Sequence, residues 1–197
     1  MALSPFLSGT HASIINNKLV LSNPTAINVT KWTYSGGAWS LTTSTTGIPL
    51  ESIVRDSLSI TQDDPEETTI DCETSDSPIK SVTKAGAWHI EMTCADLQAS
   101  ILKDLCGYQQ CSTTGTTGTD YTVAPQTMPQ QYVAIEILFG DQASLVCPKV
   151  QLTSKLDASS ISSETVKVTV SGVLEDYQIG SSDVKTPFFI NTKQAGA

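Results

Sequence analysis

Apolar residues recur along much of this chain at a period of two, the spacing that gathers them on one face of a β-strand. The clearest run opens at Gly86: Trp88, Ile90, Met92 and Cys94 take one face, and His89, Glu91 and Thr93 take the other. Val133, Ile135, Ile137 and Phe139 repeat the pattern, as do Val166, Val168 and Val170 against Thr165, Lys167 and Thr169. A run from Ala143 to Leu156 is interrupted at Cys147-Pro148, and Phe188 to Asn191 reads as a short edge strand. Ile27 and Val29 share one face of an early strand, whereas Trp32 and Tyr34 share the other. That parity change predicts a bulge or a strand that changes its packing partner. Leu58 and Ile60, then Ile70 and Cys72, alternate with polar residues on the two sides of Asp63-Asp64-Pro65-Glu66-Glu67. Such a pattern predicts a long hairpin with an acidic tip.

One stretch has a different period. Thr93 followed by Asp96 approximates a capping box; Leu97, Ile101 and Leu105 then recur every four residues, and Gly107 falls where a C-cap belongs. This predicts a helix of about three turns over 94–106, laid on a sheet. Residues 1–16 read as an arm, 107–131 as a long Ser/Thr/Gly-rich polar loop, and 191–197 as a polar tail. No composition break divides the chain, so 1–197 reads as one domain, all-β with a single helix.

Charge narrows the function classes. Lys+Arg 11 against Asp+Glu 20 leaves a net charge of -9 on 197 residues, and Arg55 is the only arginine. Tight nucleic-acid binding needs clustered cations to neutralise phosphates, and an anionic membrane surface makes the same demand. Both are disfavoured, although a protein that lies beside nucleic acid without adhering to it fits. No segment has the apolar length of a transmembrane helix, and the N-terminus lacks the basic head of a secretory signal. Five cysteines, none in a Cys-x-x-Cys pair, suggest reduced thiols in a cytoplasm, with Cys106 to Cys111 the one plausible bridge.

Catalytic chemistry is sparse. His89-Ile90-Glu91 matches half of a zinc-deaminase signature, but the Pro-Cys-x-x-Cys half is missing. With His11 and His89 the only histidines, there is little material for a His-rich metal site or a standard triad. No nucleophile elbow or phosphate-cradling loop occurs. The expectation is a non-enzyme with no catalytic residue, metal or other cofactor. Asp63, Asp64, Glu66 and Glu67 form the densest charge cluster, open to three readings: a solvated tip, a calcium site, or a contact with another subunit.

The order of these pieces resembles the tail tube (major tail) proteins of long-tailed bacteriophages and the tube proteins of contractile injection machines. Ile48 to Ile79, with the strand and helix from Trp88 to Gly107, carries the likeness. The resemblance implies a β-sandwich or barrel flanked by the helix, with Leu97, Ile101 and Leu105 as scaffold. It further implies rings of six identical chains, stacked into a hollow tube through which the genome passes during ejection. Such a protein belongs to the virion tail and is assembled in the host bacterial cytoplasm. Its partners are copies of itself and other tail proteins; DNA passes without adhering, and no membrane is involved. In that setting the arm, the acidic tip and the polar loop tie ring to ring. Glu91 and Glu136 are candidates for the polar strand face lining the lumen, and either could equally face outward. The competing class is an adhesive or receptor-binding β-sandwich module.

Overall fold

The computed structural model describes residues 24–35, 38–41, 48–50, 52–72, 75–95, 105, 107–112, 120–123, 131–139, 143–157, 166–178 and 185–192. The arm 1–16, Leu97, Ile101, Cys106 and the last five residues of the tail lie outside them.

The body is one sheet of nine strands. In chain order its members are β1 (Ala26–Ser35), β2 (Ala38–Leu41), β3 (Ile48–Leu50), β4 (Ser59–Gln62), β7 (Trp88–Cys94), β10 (Gln131–Phe139), β11 (Ala143–Asp157), β12 (Lys167–Leu174) and β15 (Phe189–Thr192). Between them run three two-stranded ribbons: β5 (Glu66–Cys72) with β6 (Ser75–Lys84), β8 (Gln109–Ser112) with β9 (Asp120–Val123), and β13 (Tyr177–Gln178) with β14 (Lys185–Thr186). Across the sheet the order is β2-β1-β10-β11-β12-β7-β4, with β3 added to β1 and β15 to β11. Every pairing is antiparallel.

Two features of the sequence are explained by this topology. Ala26 to Lys31 pair with β10, whereas Trp32 to Ser35 pair with β2, so the parity change along β1 coincides with a change of partner. Ile27 and Val29 enter the main core, and Trp32 donates its indole N–H to the Pro148 carbonyl at 2.9 Å. The interruption at Cys147-Pro148 is likewise not a break. β11 runs through it as a fifteen-residue strand, and the pairing with β10 shifts register between Val133 and Ile135. A proline has no N–H for the ladder, so such an irregularity is where a central strand can hold one.

The alternating apolar positions converge on one face. Ile27, Val29, Leu50, Ile90, Met92, Val133, Ile135, Ile137, Val150, Val168 and Val170 form a single buried cluster. Ile48 of β3 at one end of the sheet and Ile60 of β4 at the other both pack on it, so the sheet curls around its apolar side. Each fully buried Val or Ile contributes about 1.5–3 kcal/mol by leaving water. Gly172 sits where β12 passes closest to β11: a methyl there would lie 2.5 Å from Val150 Cγ1.

The fold corrects the expected sandwich or barrel: the sheet is open, since β2 and β3 at one end do not pair with β4 at the other. Of the helix expected over 94–106, Cys94 instead ends β7, Leu105 is helical, and 96–104 and 106 lie outside the described residues. The expected helix start is taken up by strand pairing, with Thr93 opposite Thr169 in the sheet. Cys94 bridges Ile53, and Ala95 donates its N–H to the Ser52 carbonyl at 2.8 Å. Leu105, placed on the expected helix, is buried against the core.

Two local expectations also change. β4 pairs with β7 and β5 pairs with β6, so the hairpin expected across the acidic turn does not form. Part of the expected polar loop 107–131 is the β8–β9 ribbon. Gly107, at φ 68°, turns the chain into Tyr108, which packs against the core.

A candidate assembly surface

The chain leaves the sheet at β4 and returns at β7 by way of the β5–β6 ribbon. Among the described residues, no strand outside that pair is hydrogen-bonded to either member. Thr68 faces Val82 and Ile70 faces Lys80 across the pair, which puts Ile70 and Val82 diagonally on one face. Both are solvent-exposed, at 53% and 47%. On the opposite face the Ser81 hydroxyl donates to the Glu67 carboxylate. Two strands alone are marginal in water, and two exposed β-branched residues on one ribbon face are surface for a partner to cover.

The ribbon's base is built with more polar contacts than its shaft. Asp63 donates its N–H to the Ala87 carbonyl at 2.9 Å, and the Gln62 amide donates to the Gly86 carbonyl at 3.2 Å. His89 Nε2 lies 2.8 Å from Asp63 Oδ2. Gly86 has no room for a side chain, because a Cβ there would fall 2.0 Å from the Asp63 carbonyl oxygen. Asp63, Asp64, Glu66 and Glu67 therefore stand at the base of the ribbon and not at a tip. All four are exposed, and Glu66 is opposite Lys84 in the ladder.

Beside this base, the solvent face of β4, β7 and β12 carries Ser59, Thr61, His89, Glu91, Ser171 and Val173 around a shallow hollow of about 360 Å3. The hydroxyls and Glu91 point away from the core because each alternates with a buried residue. Ser57 joins this edge to the sheet: its hydroxyl donates to the Val54 carbonyl at 2.7 Å and accepts the Thr93 N–H at 3.1 Å. Of the two glutamates expected on a polar strand face, Glu91 is exposed, whereas Glu136 is buried in the middle of β10.

Among the described residues, no group of three His, Cys, Asp or Glu side chains is placed to hold a metal ion. Cys94 and Cys147 are buried thiols, and burial pushes the Cys147 thiol up to about 12, far from a reactive thiolate. A second hollow of about 430 Å3, beside Arg55 and Asp56, is lined mainly by the backbone turn and apolar residues where β1 meets β3. The expected Cys106–Cys111 bridge lies outside the described residues at Cys106.

Sequence reasoning missed the clamp that joins β10, β11 and the end of β12. Lys149 Nζ donates to Glu175 Oε2 at 2.5 Å and sits 4.5 Å from the Tyr132 ring centre, while the Tyr132 hydroxyl donates to Glu175 Oε1 at 3.0 Å. These three come from separate segments, and no local signal links them. Ile70 was legible only as ordinary strand alternation, and its exposed neighbour Val82 was not singled out. No protein-family model matches the chain, and no curated protein is similar to it in sequence.

Proposed function

We propose that this protein is a non-enzymatic structural subunit that assembles with copies of itself, of the kind that builds a phage tail tube. The observation carrying this reading is the β5–β6 ribbon, which exposes Ile70 and Val82 and has no third strand within the described chain. A ribbon in that state gains most by packing on a neighbour, and the acidic, polar base holds its root to the sheet. The open sheet supports the same reading: β4 at one end and β2 with β3 at the other are short edges, which suit pairing between subunits in a head-to-tail ring. A net charge of -9 per chain makes such a ring non-adhesive to DNA. Salt screens that repulsion over about 8 Å, so it acts at the wall and leaves a wider bore open.

The test is sedimentation and negative-stain electron microscopy over a concentration series, on the wild type and on an Ile70→Asp/Val82→Asp variant. Rings or tubes from the wild type, and a folded but unassembled variant, are the expected result. A wild type that remains monomeric throughout would remove this reading in favour of an adhesive module. Assembly unaffected by the double substitution would remove the ribbon's part in it.

A further inference from the structure

The middle of the sheet is buried on both faces, and its second face carries a carboxyl. Glu136 in β10 is 5% exposed; it lies opposite Asn28 of β1 and Val146 of β11, with Ser144 diagonal to it. Ser144 is fully buried; among the described residues its hydroxyl has no partner at full hydrogen-bonding geometry, and the Glu136 carboxyl is the group it acts on. We propose that Glu136 is a proton-binding site: the folded sheet holds its carboxyl as the neutral acid between Asn28 and Ser144. The stability of the β1–β10–β11 centre is thereby coupled to pH.

The surroundings argue for the neutral form. On this sheet face Glu136 is met by Asn28 and Thr30 from β1, Ala134 and Leu138 from β10, Ser144 and Val146 from β11, and Phe189 from β15. None of these carries a charge. Lys31 alternates to the opposite face of β1, and Lys149 and Glu175 are engaged with each other. A carboxylate removed from water without a cation is costly, and the ordinary outcome is that it takes up a proton. The acid form also fits the hydrogen-bonding partners: its O–H can donate to the Ser144 oxygen, and its carbonyl oxygen can accept from the Asn28 amide. Burial raises the Glu136 pKa above the ordinary 4.5, and the Asn28 and Ser144 side chains offset only part of that rise.

The sign follows from linkage. A carboxyl that holds its proton more tightly when folded makes the native state relatively more stable in acid. That contribution is present below the ordinary value of 4.5, is lost as pH rises toward the raised native value, and stays lost above it. Glu136→Gln keeps the shape and the donor while removing the ionisation. Thermal unfolding of wild type and E136Q from about pH 4 to about pH 8 isolates the group from the other carboxylates. The Tm advantage of E136Q should grow by a few degrees as pH rises. A difference independent of pH, or one that shrinks with rising pH, would overturn the proposal. Should E136Q not fold, carboxyl carbon NMR of glutamate-labelled wild type decides the matter. One resonance titrating clearly above the others is the expected result, and all titrating together would overturn it. Neither experiment depends on whether the protein assembles, so this site and the assembly reading stand or fall separately.

Discussion

The centre of β10 and the β5–β6 ribbon are both antiparallel and both rich in β-branched residues, yet they occupy opposite environments. From Tyr132 to Ile137 every residue of β10 is buried, including Glu136. Along the described ribbon side chains, Glu66 to Ile70 and Ser81 to Lys84, every residue is exposed. The difference is one of neighbours. β10 has β1 on one edge and β11 on the other, while among the described strands β5 and β6 pair only with each other. Folding energy is therefore concentrated in one place, and surface free for association in another.

Substitutions should separate these two roles. The largest effect belongs to the centre: Ile135→Ala removes a fully buried side chain and should cost about 2–5 kcal/mol, read by denaturant unfolding. A loss below that range would mean that the core around β10 collapses to fill the space. An intermediate effect belongs to the junction. Gly86→Ala forces a methyl against the Asp63 carbonyl and should cost about 1–3 kcal/mol, with hydrogen exchange rising first at the Asp63 amide that bonds Ala87. Protection that falls uniformly across the sheet would mean that base and body unfold as one unit. The smallest effect belongs to the ribbon itself. Neutralising Asp63, Asp64, Glu66 and Glu67 to amides should change stability by about 1 kcal/mol or less, since exposed charges contribute little, while shifting the salt dependence of assembly. A large Tm loss with assembly unchanged would place the acidic group in the fold and not in the interface.

Much of the sheet was legible because strand formation is local. The alternation from Trp88 to Cys94 and from Val133 to Phe139 is a property of consecutive side chains, and each became a strand with the expected face inward. The short strand at Phe188 to Asn191 was found to within a residue. The expected helix start at Thr93 was displaced for a physical reason. Thr93 with Asp96 carries a plausible cap pattern, but Ile53 and Ser57, some forty positions earlier, compete for the backbone groups of Thr93 and Cys94 and win them. The acidic turn misled in a similar way. Alternation on both of its sides was real, but it could not say that β4 would choose β7 and that β5 would choose β6.

The candidate surfaces divide along the same line. That Glu91 would face away from the apolar stripe followed from its position between Ile90 and Met92. That Glu136 would not be exposed did not follow, since its own strand reads as alternating and its second face is covered only in the folded chain. The clamp of Lys149, Glu175 and Tyr132 and the tight packing over Gly86 and Gly172 depend on backbone approaches across the sheet.

By itself, then, the sequence determined where strands form, which side of most of them is apolar, and a net charge of -9. These are set by nearest neighbours and by composition. The tertiary structure decided which strands pair, that the sheet stays open, that a ribbon exposes Ile70 and Val82, and that a glutamate is enclosed. Each of those depends on contacts between residues far apart in the chain, where the free energy of closing one pairing is weighed against every other pairing available.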